Sequence, residues 1–278
     1  MSADGGAPFP NDLYRVFADM IRARSGIDFT ESNRFLLESR VRHRVEELRL
    51  EGPRAYLYRL RYGPGEEAEF DALLDRITNP ETYFFRETEQ LAAFTEDLLP
   101  EWEETADPGP LRIWSAGCAS GEEPYTIAML LEEKGFFDRH SVEIFGSDLS
   151  LASLGRARAG VFRENAFRQT SDERRSRFFD AEGPGRFRLR EEVRRRVAFG
   201  RVNLVEGPRL AALPRFHVVF CRNVLIYLED RAKRSVVESL HDRLLPGGHL
   251  FLGRVESLVA FSTPFRLRHL PHDLVYRK

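Results

Sequence analysis

The sequence predicts an α/β fold: a doubly wound, mostly parallel sheet with an antiparallel C-terminal edge hairpin, a small inserted β-subdomain and an all-α N-terminal domain. Three observations predict it. Residues 11 to about 77 carry helical periodicity and no convincing strand. The stretch LRIWSAGCASGEEPY, Leu111 to Tyr125, then reads as a buried strand, a glycine turn and a helix start, the first crossover of a doubly wound sheet. Finally, Phe216 to Phe220 is a continuous apolar run, the pattern of a central parallel strand.

Composition narrows the classes. The 278 residues suffice for a sizeable core, and 42 basic against 44 acidic residues leave a net charge of −2, which argues against a global nucleic-acid or membrane field. No apolar run approaches the roughly 20 residues of a membrane span. The start MSADGGAPFP shows no basic n-region or apolar h-region, so a cytoplasmic protein is expected. Cys118 and Cys221 sit in apolar strand-end contexts, as small core fillers or as a reduced pair near one pocket. The histidines are scattered and suggest no metal site.

In the helical part, Leu13, Val16, Phe17, Met20 and Ile21 form one stripe. Phe29-Thr30-Glu31-Ser32 offers a capping start for a second helix, whose stripe is Leu37, Val41, Val45 and Leu48 and which Gly52-Pro53 ends. Tyr56, Leu57 and Leu60 suggest a third helix, Gly63-Pro64-Gly65 breaks it, and Phe70, Leu73, Leu74 and Ile77 suggest a fourth. Arg34, Arg40, Arg42, Arg44 and Arg49 flank the second stripe. They read as a solvated face paired with Glu38 and Glu46, or as a docking surface for an acidic partner helix.

Asn79-Pro80 marks a break before a helix, and Tyr83, Phe84 and Phe85 are consecutive aromatics that no single helix or strand face can bury together. Such a knot plugs a seam between domains or packs on a flat ligand. After a helix at Leu91 to Leu99, Thr105 to Pro110 reads as a linker.

Past the first strand, Gly117 and Gly121 let the backbone turn and approach a ligand closely. The turn is neither Gly-x-Gly-x-x-Gly nor a P-loop, and Glu122 and Glu123 at the helix start would repel phosphate. They either complement the helix dipole or suit a cationic group such as an ammonium. The second strand, Val142 to Ser147, ends in Asp148, placed to accept from ribose hydroxyls or to cap the next helix beside Ser150. In that helix Leu151, Leu154 and Ala157 are expected to face inward, and Gly160 stops it. From Arg174 to Arg201 ten arginines meet four acids, and the segments RFRLR and RVAFGRV read as a β excursion before the third core strand, closed by Asn203. Nucleic-acid binding is an alternative for this basic stretch. The fourth strand ends in Cys221-Arg222-Asn223-Val224-Leu225-Ile226-Tyr227, whose polar tips face the pocket of Gly117 and Glu123. A helix from Asp230 to Leu244 and Pro246-Gly247-Gly248 lead to a fifth strand, His249 to Val255, and Phe265–Leu270 with Leu274–Arg277 form the edge hairpin.

ETYFFRE, WSAGCASGEEPY, GSD, VNL, FCRNVLIY and LLPGGHLFLG, in that order, resemble the CheR-type chemotaxis receptor glutamate O-methyltransferases over nearly the whole chain. The resemblance implies an S-adenosylmethionine-dependent methyltransferase sheet and transfer of methyl from S-adenosylmethionine to glutamate carboxylates of chemoreceptors. It implies a helical docking domain over 1–86, a linker over 87–110 and a catalytic domain over 111–278 with a β-subdomain at about 174–198. By it, Thr82 and Arg86 close over the cofactor from the linker helix, Glu123 meets the methionine ammonium and Asp148 the ribose. Asn203 and Leu204 flank the adenine, and Arg222 and Asn223 line the methionine side. Tyr227 stands near the transferable methyl while Arg86 holds the substrate carboxylate. The second helix (Arg40, Arg42, Arg44, Arg49) docks the receptor's methylation helix, and the β-subdomain offers an edge for a receptor tail. Two places depart from the family's pattern: Pro80 stands where Asn is common, and Arg254-Val255 where His-Ser is common. A nucleic-acid methyltransferase and a catalytically silent cofactor-binding adaptor are the competing readings.

Overall fold

A computed structural model describes residues 8–78, 81–105, 109–259 and 261–278. Two compact units emerge: Met1–Asn79 with Tyr227–Ala232, and Pro80–Ile226 with Lys233–Lys278. The sequence expectation put the first boundary at residue 86, so Thr82 to Arg86 belong with the second unit.

The first unit holds α1 (Asn11–Ser25), α2 (Arg34–Glu47), α3 (Pro53–Tyr62) and α4 (Glu66–Ile77). Leu13, Phe17 and Ile21 give α1 its buried face, and Gly26 ends it in the left-handed region at φ 72°. The second helix starts at Arg34 rather than at the Thr30–Ser32 turn, whose two hydroxyls bond each other instead of capping. Pro53 opens α3 at its first helical positions, where its missing N–H costs nothing, rather than ending α2. Ile27 bridges Leu228, and the Tyr227 carbonyl accepts the Asp28 N–H.

The second unit begins, after an irregular stretch, with a continuous helical rod: α5 (Thr88–Ala92), a π-helical stretch (Ala93–Leu98) and α6 (Leu99–Glu103). Then follow β1 (Leu111–Ala116), α7 (Glu122–Glu133), α8 (Phe136–Arg139), β2 (Val142–Asp148), α9 (Leu151–Ala159), β3 (Val161–Arg163), α10 (Asp172–Phe178), β4 (Phe179–Ala181), β5 (Arg186–Leu189), α11 (Glu191–Arg194) and β6 (Val197–Arg201). The chain closes with α12 (Gly207–Ala211), β7 (Phe216–Cys221), α13 (Asp230–Arg243), β8 (Leu244–Leu252), β9 (Arg266–His269) and β10 (Leu274–Arg277). The main sheet runs β6-β2-β1-β7-β8-β10-β9, its first five strands parallel and β10 antiparallel to both neighbours. Strand order reverses beside β1, which opens a crevice at the carboxyl ends of β1 and β7. In the core Phe220 stacks on Phe251 and meets Phe94 edge to face.

The segment RVAFG is the third core strand itself, and the inserted subdomain is the separate sheet β3-β5-β4, beginning at Val161. The aromatic knot fastens this small sheet. Phe84 lies 4.7–5.4 Å from the rings of Phe162, Phe179 and Phe167, and the Phe85 N–H donates to Thr126 Oγ1. Leu151 is exposed, because Ser150 caps α9 and turns that first position outward. Val255 likewise lies beyond the end of β8 and is 77 % exposed.

Candidate active site

The tips of β1, β2, β6, β7 and β8 end at one edge of the sheet, because parallel strands share a direction. At the tip of β1, the N–H groups of Gly117 and Cys118 both donate to the Ser147 carbonyl on β2. Gly117 sits at φ 82°, and a Cβ there would come within 2.4 Å of Val224 Cγ2. At Gly121 a Cβ would lie 2.9 Å from Ala157 Cβ. Side chains of the protein occupy the place a Cβ would take at either glycine, so both positions require glycine for packing as well as for their left-handed backbone.

Glu123, in the first turn of α7, is held at both oxygens. Oε1 accepts from Ser115 Oγ at 2.6 Å and Oε2 from Arg222 Nε at 2.6 Å. The Arg222 side chain is 4 % exposed, and its Nη1 donates to the Arg86 carbonyl (3.0 Å) and to Gln90 Oε1 (3.3 Å). Gln90 Nε2 in turn donates to the Leu252 carbonyl at the end of β8. Glu87 Oε2 lies 3.6 Å from Arg222 Nη1 and is buried without a hydrogen-bond partner. Two carboxylates, Glu87 and Glu123, therefore flank the Arg222 guanidinium, and the other Glu87 oxygen lies 4.0 Å from Arg86 Nε, so the charges of the cluster balance. An orphaned carboxylate oxygen in such a cluster calls for a cationic donor.

Around this cluster the other predicted residues fall into place unevenly. Asp148 accepts from the Ala119 N–H and the Ser150 N–H, both at 2.8 Å, and so holds the left-handed Ala119 (φ 49°) in the turn. Ser150 rather than Asp148 caps α9, taking the Ser153 N–H. Asn203 closes a turn after β6, its Oδ1 accepting from Val205 N–H and its Nδ2 donating to Glu206, with Leu204 half-buried beside it. Asn223 follows Arg222 in the left-handed region at φ 58°.

Thr82 and Arg86 do not lie on a helix. The segment is irregular, with Phe85 and Glu87 at φ 58° and 57°, and helix begins only at Thr88. Thr82 hydrogen-bonds Glu122, whose carboxyl also takes the Ser120 hydroxyl at 2.9–3.0 Å. Burial pushes the Glu122 carboxyl up to about 7, against the opposing effects of those hydrogen bonds and of Arg156. Arg86 donates Nη1 to the Glu81 carbonyl and lies over the Tyr83 ring. Tyr227 is not in this network; its ring is exposed and its carbonyl serves Asp28. Pro80 lies outside the described residues, while Arg254 pairs with Glu89 at 2.5 Å. Both cysteines are buried and free. Sequence reasoning missed Glu87, Gln90 and Ser115, although two of them stand inside the quoted motifs.

Residues 80–273 match the CheR methyltransferase, SAM binding domain, and residues 12–78 match the CheR methyltransferase, all-alpha domain. The chain belongs to the CheR methyltransferase family. It is 34 % identical to chemotaxis protein methyltransferase 2 of Vibrio cholerae, over 94 % of this chain and 91 % of that protein. Identity is also 34 % to chemotaxis protein methyltransferase 1 of Pseudomonas aeruginosa, over 96 % of each. The probable biofilm formation methyltransferase WspC of P. aeruginosa is 32 % identical over 94 % of this chain and 61 % of its own length. This CheR protein is an S-adenosylmethionine-dependent methyltransferase. No helix among the described residues is long and apolar enough to cross a membrane.

Proposed function

We propose that this enzyme methylates chemoreceptors at glutamate side chains, forming methyl esters in chemosensory adaptation. The observation that carries the site assignment is the Glu87–Arg222–Glu123 cluster, in which one buried Glu87 oxygen has no hydrogen-bond donor. Bound S-adenosylmethionine supplies an electrophilic methyl on a sulfonium. A glutamate carboxylate, with a free pKa of about 4.3, is ionised at neutral pH and needs no general base to accept that methyl. The protein's task is then alignment, which in well-oriented systems supplies roughly 7–11 kcal/mol.

In this reading Glu123 and the orphaned Glu87 oxygen receive the ammonium, Asp148 the ribose, Asn203 and Leu204 the adenine, and Arg222 with Asn223 the methionine side. Thr82 and Gly117 frame the pocket. Arg86 must release its Glu81 contact to hold the substrate carboxylate, with Tyr227 near the methyl. Removing the cation by Arg86→Ala is expected to cripple turnover at saturating cofactor; near-normal turnover would refute the role.

Docking through the second helix is a finer part of the proposal, and it excludes two expected residues. Arg44 is bound at Nε and Nη2 to the buried Glu69 and at Nη1 to Glu47, and Arg42 donates Nη2 to the buried Glu38 at 3.1 Å, so Arg40 and Arg49 are the arginines proposed to meet an acidic helix. A receptor tail would add to an outer strand of the β3-β5-β4 sheet. The nucleic-acid alternative loses support, because Arg174, Arg175, Arg188, Arg190, Arg194 and Arg196 are each ion-paired to a carboxylate. The test is transfer of labelled methyl from S-adenosylmethionine to receptor cytoplasmic fragments, followed by alkali. Volatile label released by base means esters; base-stable label means a different acceptor; cofactor binding with no label on any receptor would favour the silent adaptor.

A further inference from the structure

Glu256 follows β8 by four residues, yet its half-buried carboxylate is bonded mostly to the neighbouring strand's loop. Oε2 accepts the Asn223 N–H and the Gly253 N–H, each at 2.7 Å, and Oε1 accepts Val224 N–H at 2.9 Å and Ile226 N–H at 3.3 Å. Four backbone donors on one carboxylate form an anion nest filled from within the chain. Such charge-assisted bonds are among the stronger hydrogen bonds in proteins. They fall on the segment that begins at Asn223, where a non-glycine residue sits in the left-handed region and carries strain.

Gly253 supports the same assembly from the other side. A Cβ there would stand 2.5 Å from Asn223 Nδ2 and 2.9 Å from its backbone nitrogen, so the loop and the β8 tip meet backbone to backbone. Arg222, one residue earlier, is fixed by Glu123 and Gln90. The post-β7 loop is therefore clamped twice, once at its guanidinium and once along its peptide N–H groups.

We propose that Glu256 is a positioning residue of this methyltransferase: it acts through the Asn223–Ile226 backbone to hold Asn223 in the conformation that receives the cofactor. The proposal rests on the assignment of Asn223 to the methionine side. The alternative, a carboxylate that only stabilises the fold, would lower melting temperature without selectively weakening cofactor affinity.

The experiment measures S-adenosylhomocysteine binding by calorimetry for wild type, Glu256→Ala, Glu256→Gln and Asn223→Ala, with thermal unfolding of each. Both Glu256 variants are expected to fold and to bind about tenfold or more weakly, the effect of about 1.4 kcal/mol. Sodium formate should restore the affinity of Glu256→Ala saturably, by seating a carboxylate in the vacated nest, whereas sodium chloride at equal ionic strength should not. Wild-type affinity in both Glu256 variants, failure of both to fold, or equal action of formate and chloride overturns the proposal. If Asn223→Ala weakens binding while the Glu256 variants do not, Glu256 fails alone; if none of the three weakens it, the Asn223 assignment fails with it.

Discussion

Arg44 in the helical unit and Arg222 in the catalytic unit are both mostly buried and both meet glutamates, but the pairs are made differently. Arg44 makes a two-pronged pair with Glu69, at 2.7 and 2.9 Å, and Tyr56 OH fills a further position on the same carboxylate at 2.9 Å. Burial opposes the ionised form of Glu69, yet the bonds from Arg44 and Tyr56 hold its carboxyl below the usual range. Around Arg222 the geometry is one-pronged, the second glutamate stands at 3.6 Å, and one of its oxygens is buried without a donor. Each cluster keeps one buried group without a hydrogen bond, Arg59 Nε at 3.7 Å from Glu69 and Glu87 Oε2 at 3.6 Å from Arg222, so the contrast lies in the pair itself. A two-pronged pair fixes a fold, while a carboxylate oxygen left open beside a one-pronged pair can take a cationic donor.

The largest effects should come from breaking each network at its centre. Removing one partner of a buried pair costs about 3–5 kcal/mol, because the other charge stays behind. For Arg222→Ala that loss is expected mainly as cofactor affinity, a drop of about a hundredfold or more by calorimetry. Affinity within a few-fold of wild type, in a folded variant, would end the contrast. For Glu69→Ala the same cost should appear as stability, in denaturant unfolding of the helical unit, with cofactor affinity unchanged. A matched loss of affinity would show that the Arg44 network is not purely architectural.

This contrast also explains what could be read in the sequence. Strand and helix periodicity sufficed for most of the strands and for the buried stripes, because apolar alternation is a local signal. The arginines of α2 looked alike, and nothing local told Arg44 from Arg42, since its partner Glu69 lies on another helix. The 99-residue separation of Glu123 and Arg222 hid their pairing in the same way. Glu256 carries no signal in the sequence, for its carboxylate meets backbone N–H groups, which leave no side-chain pattern. RVAFG reads as part of the β excursion because a short alternating run looks the same in a core sheet and in a subdomain. The family resemblance implies a helix at Thr82 and Arg86, whereas the turn at Phe85 and Glu87 uses left-handed residues that no propensity favours.

Glu122 offers a smaller and graded test of the catalytic unit. Burial puts its folded-state carboxyl at about 7, against an ordinary 4.5. Below pH 4.5 the group is protonated in both states and contributes nothing to the pH dependence. Between about 4.5 and 7 the folded state binds the proton more tightly, so stability falls as pH rises, and above 7 the deficit is constant. Glu122→Gln keeps the size and removes the titration. Its stability relative to wild type should rise with pH across that window, by at most about 3 kcal/mol. A flat difference between pH 4 and pH 8, from unfolding curves, would show that the carboxyl titrates at its ordinary value.

The smallest expected effect separates the surface arginines from Arg44. Arg49 lies just beyond the end of α2, exposed and left-handed at φ 53°, with no ion pair among the described residues. An exposed charge meeting an acidic helix contributes about 1 kcal/mol or less and is screened by salt. Arg49→Ala should therefore raise the KM for a receptor fragment only a few-fold at low ionic strength, with kcat and melting temperature unchanged, and the difference should vanish at high salt. Arg44→Ala should do the reverse, lowering the melting temperature by an amount that salt barely alters. If Arg49→Ala left KM unchanged at every salt concentration while Arg44→Ala raised it in a folded protein, the assignment of structural and docking arginines would have to be exchanged.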